Sequence, residues 1–145
     1  MHVELFSEKN GRLACLMLVF VDLFLGGSAV FFPYFYSELL HPGLANPPID
    51  FIMRTGILWL VFAFFQFMAV ISKNPRNWFL IVAVVRLMDV PADIIYGIMA
   101  LGATLISRLM ILSAPLLNTI FGIYLYKLFK KLGDNRSERL VEHKI

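Results

Sequence analysis

LACLMLVFVDLFLGGSAVFFPYFY, residues Leu13–Tyr36, holds a single charged side chain, Asp22. A helix needs roughly 20 mostly apolar residues to cross a hydrocarbon core about 30 Å thick, and this stretch is long enough. Three more runs of the same kind follow, Ile49–Ser72, Trp78–Gly102 and Arg108–Phe129, joined by short polar segments. None alternates apolar and polar residues as a barrel strand would. The expected fold class is therefore all-α: an integral membrane four-helix bundle, up-down-up-down, in which short connections make neighbours antiparallel. The 145 residues read as a single transmembrane domain, 1–145, with a cytoplasmic tail at 130–145.

Composition agrees. The chain is 59% apolar and 16% charged, against about a quarter charged in soluble domains. The net charge of +3 could suggest nucleic acid, but its distribution points to a membrane surface. Lys9 and Arg12 precede the first run, Lys73 and Arg76 lie between the second and third, and Lys127, Lys130, Lys131, Arg136, Arg139 and Lys144 follow or close the fourth. That is ten of the thirteen basic residues, while Ser37–Pro48 has none. The positive-inside rule puts both termini and the Lys73–Asn77 turn in the cytoplasm, and Ser37–Pro48 outside.

Gly27-Ser28-Ala29 offers small residues after an apolar stretch, but Asp22 and the length of the stretch argue against a removable signal peptide. No lipidation motif is evident. Met1–Gly11 reads as a short interfacial segment, and Gly133 as the end of the fourth helix. Cys15, the single cysteine, can form no intrachain disulfide.

The ionisable residues inside the runs carry the most information. A charge near mid-bilayer costs at least ~2.5 kcal/mol, so such residues usually face a bundle interior or a cavity. At about 1.5 Å per residue, Asp22, Arg86 and Asn118 fall near the midplane, and Arg54 and Asp93 share a shallower level toward the outside. Arg86, Asp89 and Asp93 are spaced three and four apart, on one helix face that continues through Tyr96 and Gly97. Cys15, Gly26 and Ala29 share a stripe with Asp22, and Ala114, Asn118 and Gly122 form another; small residues permit close helix approach. The expected result is an internal polar seam with Asp22–Arg86 and Arg54–Asp93 as interhelical pairs, the third run approaching along Asp22's stripe.

Two readings of Asp22, Arg54, Arg86, Asp89, Asp93 and Asn118 stand side by side. The seam fixes packing, with Arg86–Asp89 and Asp50–Arg54 as plain intrahelical pairs. Otherwise it is a ligand or proton site, with Asp89, which lacks an obvious interhelical partner, as the first candidate. Pro91 and Pro115 each remove a helix hydrogen bond and could open a cavity beside Asp89, although proline is also tolerated in membrane helices.

Several chemistries lack their residues. His2, His41 and His143 all lie outside the runs, so there is no intramembrane pair for haem. There is no Cys/His cluster for zinc and no Gly-rich phosphate loop. No cofactor is evident; quinone and lipid remain candidate ligands. Lys127, Lys130 and Lys131 would attract anionic lipid at about 1 kcal/mol each, and a topology signal explains them equally well.

Phe51-Ile-Met-Arg54-Thr-Gly56, opening the second run after a Pro-containing loop, and Arg86-Leu-Met-Asp89 followed by Asp93 in the third, together resemble the small bacterial four-helix membrane proteins grouped as DoxX-like, including BphX-like families. Topology matches over most of the chain, and the motifs over about ten residues. The resemblance implies a bacterial inner membrane and a shared polar core of Arg54, Gly56, Arg86 and Asp89; members of the wider group have been linked to thiosulfate–quinone oxidoreduction or occur beside catabolic enzymes. The expected function is a non-catalytic accessory or structural subunit, partnered by the lipid bilayer and by other membrane subunits or a second copy, with no nucleic acid. The alternative is a binder or carrier of a small apolar or aromatic compound, or quinone, in an Arg/Asp pocket.

Overall fold

The structure, a computed structural model, describes residues 6–40, 49–99 and 104–142, with the side chains of all but 39, 40, 106 and 135–142 among them. Five helices account for nearly all of these: α1 (Glu8–Phe31), α2 (Pro33–Leu40), α3 (Ile49–Ile71), α4 (Arg76–Met99) and α5 (Leu105–Glu142). Among the described residues there is no strand. Three helical stretches are long and apolar enough to cross a membrane: Glu8–Phe31, Ile49–Ile71 and Ser107–Asp134. α4 is as long as α1, 24 residues, but Arg86, Asp89 and Asp93 within it keep it out of that set.

The expected runs are adjusted at their ends for local reasons. The first run splits. Pro33 disfavours α geometry in the residue before it; Phe32 takes φ −137° and ψ 57°, and α2 begins at Pro33. Ser37–Leu40, expected in a loop, belongs to α2; positions 41–48 of that loop lie outside the described residues. At the other end α1 starts at Glu8, inside the expected interfacial segment. Ser7 caps it, accepting from the Asn10 N–H at 3.3 Å, and Glu8 binds Arg12 one turn on at 2.7 Å. α5 begins before Arg108 because Thr104 Oγ1 accepts from the Ser107 N–H at 3.2 Å.

The expected end of the fourth helix at Gly133 is corrected, since α5 runs unbroken through Gly133 to Glu142. Gly133 is not a stop. A Cβ there would collide with the Arg76 guanidinium, and Arg76 Nε donates to the Phe129 carbonyl at 3.2 Å while the guanidinium lies over the Phe129 ring at 4.4 Å. The missing side chain makes room for a neighbouring helix.

α1 packs mainly on α3, and α4 mainly on α5; α3–α4 and lighter α1–α5 contacts join the two pairs. Within each pair the helices run in opposite directions. Arg12 donates to the Val70 carbonyl and, at 2.7 Å, to the Ser72 carbonyl, which caps the end of α3, while Gly26 lies against Gly56. In the second pair Arg76 meets Phe129, Leu87 meets Gly122 and Gly97 meets Leu112. The small-residue stripe of Asp22 thus admits α3, not the third apolar run as expected. The other stripe behaves as expected of small residues: at Gly122 a Cβ would lie 2.7 Å from Leu87 Cγ.

Two apolar clusters fill the interior. Cys15, Leu18, Ala69, Phe79, Val82, Ala83, Leu125 and Leu128 form the first, and Ala29, Tyr36 and Ile52 the second, with Tyr36 against Trp59 at 5.8 Å between ring centroids. Asp22 on α1 and Gln66 on α3 fall in sequence between the two. The outer faces carry exposed Phe, Leu, Ile and Met side chains along every long helix, far more apolar surface than a water-soluble monomer presents.

Candidate functional site

Between the clusters a chain of polar side chains crosses all four long helices. Asp22 and Gln66 are each 1% exposed, Arg86 4% and Asn118 6%. Asp22 Oδ2 accepts from the Arg86 guanidinium and from Gln66 Nε2 at 2.8 Å. The other arm of Arg86, Nη1, donates to Asn118 Oδ1 at 3.0 Å. Asn118 Nδ2 then donates back to α4, to Asp89 Oδ2 at 3.2 Å and Asp93 Oδ2 at 2.9 Å. The Phe62 ring lies 5.9 Å from the guanidinium carbon. Gln66 Oε1 and Arg86 Nε are buried without a hydrogen-bond partner among the described residues.

Five of the six candidate residues are therefore brought together: Asp22, Arg86, Asp89, Asp93 and Asn118. Depth and helix face place Asp22 at Arg86, and the structure has that pair. Arg54 is corrected. It is exposed and makes no ion pair with Asp93. Depth alone misled here, because Ile52 and Gly56 hold the inward face of α3, and a residue two positions from each, at about 100° per residue, points away. Asp89 is corrected in the opposite sense: it does have an interhelical partner, Asn118. The intrahelical Arg86–Asp89 and Asp50–Arg54 pairs are absent among the described ion pairs.

Gln66 was missed. A search confined to ionisable groups passes over it, and its backbone lies several residues from the level of Asp22. Side chains lean toward their own helix N-terminus; on antiparallel α1 and α3, Asp22 and Gln66 therefore lean toward each other and close the gap. The available signal was an amide in a run that is otherwise apolar from Gly56 to Ile71.

Chemically, the arrangement clamps a guanidinium between a carboxylate and an amide. No nucleophile–base pair is built into it, and among the described residues no group of His, Cys, Asp or Glu could hold a metal ion. A groove of about 250 Å³ lies between α1 and α3, lined by Val19, Leu23, Leu60, Ala63, Phe64 and Phe67. It is apolar and does not reach Asp89. Comparison with family models, with curated proteins and with solved structures finds no match.

Proposed function

We propose that the chain is a four-span inner-membrane protein, arranged up-down-up-down with both termini in the cytoplasm, that serves as a non-catalytic structural or accessory subunit of a membrane assembly. The single observation that supports it best is the engaged state of the seam: Arg86 bonds to both Asp22 and Asn118, and Asn118 holds Asp89 and Asp93. In a bilayer, apolar packing gains nothing from water exclusion, and interhelical polar bonds with close small-residue contacts hold helices together. α4 completes the four spans in this reading, with Arg86 paired inside the bundle and the half-buried Asp89 and Asp93 hydrogen-bonded by Asn118. The groove between α1 and α3 lends the carrier reading no support, since it is lined by apolar residues away from Arg86 whereas ligand pockets converge on a few polar groups. The resemblance to DoxX-like proteins supports a bacterial inner membrane.

Topology is testable in a Cys15→Ala background. Gly43→Cys is expected to label with a membrane-impermeant maleimide from outside, and Lys73→Cys only after the cytoplasmic face is opened. The reverse pattern would invert the topology. For the function, purification from native membranes in a mild detergent is expected to bring down a protein partner at fixed stoichiometry, identified by mass spectrometry. A chain recovered alone with a stoichiometric small molecule would replace the subunit reading with the carrier.

A further inference from the structure

The basic end of the molecule divides its cations into two groups. Arg12 is used by the fold, bonded to Glu8 and to the last carbonyls of α3. Arg76 is used likewise, seated over Gly133 and bonded to Phe129. Four of the lysines are different. Lys9, Lys73, Lys127 and Lys130 are exposed, and among the described residues none has a carboxylate partner. Lys130 lies over the Tyr126 ring, at 5.2 Å.

Contacts show that these lysines lie at one level. Phe6 stacks on Tyr124 at 5.4 Å, and a Cβ on Gly11 would collide with Leu128, so the start of α1 stands beside residues 124–128 of α5. The bond from Arg76 to Phe129 sets the start of α4, with Lys73 just before it, beside the same turn. The described acidic residues here are Glu8, engaged by Arg12, and Asp134. Four ammonium groups with no carboxylate partner among the described residues, on α1, the α3–α4 turn and α5, thus stand at one end of the bundle. α5 continues beyond as helix, and its sequence there carries Arg136 and Arg139 together with Glu138 and Glu142.

We infer that Lys9, Lys73, Lys127 and Lys130 form a collar that selects anionic phospholipids, holding their headgroup phosphates around the basic end. The inference rests on the proposed membrane residence. An ammonium is a compact point charge suited to a mobile phosphate, while the planar fork of arginine suits fixed partners; at this end Arg12 and Arg76 on the one hand, and Lys9, Lys73, Lys127 and Lys130 on the other, follow that division. Each lysine at an anionic surface favours the charged lipid on the order of fivefold, and exposed charges of this kind are screened by salt.

Trp78, in the first turns of α4, reports from the same end. With Trp59→Phe it is the sole tryptophan, since the chain has two. The protein is reconstituted into phosphatidylcholine vesicles with graded brominated phosphatidylglycerol, and in parallel with brominated phosphatidylcholine. Quenching of Trp78 is expected to show a several-fold preference for phosphatidylglycerol that falls toward unity in 0.5 M salt (roughly a 4 Å screening length). The preference is expected to be lost in Lys73→Gln/Lys127→Gln/Lys130→Gln and kept in the corresponding Lys→Arg variant, which also controls for folding. Equal quenching by the two lipids in the wild-type background, or a preference untouched by the triple substitution, would overturn the collar while leaving membrane residence intact. Quenching by neither lipid would overturn both.

Discussion

Arg86→Leu is expected to abolish most of the recoverable folded protein, while Phe64→Leu leaves yield and thermal stability near wild type. Removing the guanidinium leaves the Asp22 carboxylate, 1% exposed, with Gln66 alone as its described partner and strips Asn118 Oδ1 of its donor. Breaking a buried ion pair by deleting one partner costs about 3–5 kcal/mol in soluble proteins, whereas single polar couplings in membranes average about 0.6 kcal/mol. Two couplings are lost here and one carboxylate is stranded, so the loss should be about 2–4 kcal/mol. Phe64 is exposed at the rim of the apolar groove, and leucine replaces its contacts with apolar ones. Equal melting temperatures in mild detergent for Arg86→Leu and wild type would mean that the seam does not hold the helices.

A double-mutant cycle locates the coupling. Asp22→Asn and Arg86→Gln each remove the charge of one partner, and because the groups touch, their combined loss should fall well short of the sum of the single losses. Asn118→Ala extends the chain of couplings to α5. It removes the link between Arg86 and both Asp89 and Asp93, so its effect should also depend on whether Arg86 is present.

Element type was legible in the sequence because length and apolarity alone determine it. Ile49–Ser72 and α3 differ by one residue, since a turn on one side and the Pro47-Pro48 pair on the other leave no choice. Where boundaries moved, short-range chemistry moved them: Pro33 broke the first run, and Thr104 started α5 early. Gly133 was misread because glycine has two uses, ending a helix or admitting a neighbour, and only the position of Arg76 decides between them. The seam was legible as far as depth and helix face reach. Asp22, Arg86 and Asn118 share a level, so those residues converge; Arg54 shares a level with Asp93 but faces away, because rotation about α3 is set by its small residues. Gln66 was invisible to depth counting because two leaning side chains close a backbone offset.

The crossing of α1 and α3 depends on glycine more strictly than on any apolar contact there, and Gly56→Val is expected to separate the pair. A Cβ at Gly56 would stand 2.8 Å from Ala29 Cβ, 2.9 Å from the Gly26 carbonyl oxygen and 2.9 Å from Val30 Cγ2. The facing position is no more forgiving, with a Cβ on Gly26 at 2.8 Å from the Gly56 carbonyl oxygen. Two backbones therefore approach closely, each glycine facing the other's carbonyl oxygen, as small residues allow in membrane helices. Overpacking a well-filled interior costs about 1–3 kcal/mol, and a backbone obstacle puts this case at the upper end. The displacement would also pull Gln66 from Asp22, four residues before Gly26 on α1, and so weaken the seam. Gly27→Ala is the control: nothing lies within 4 Å of a Cβ there, and the Gly-to-Ala gain in helix propensity, about 1 kcal/mol, should leave stability equal or slightly raised. Thermal unfolding in detergent should then rank Gly27→Ala at or above wild type and Gly56→Val far below it. A Gly56→Val protein melting with the wild type would mean that the two helices do not meet at these glycines.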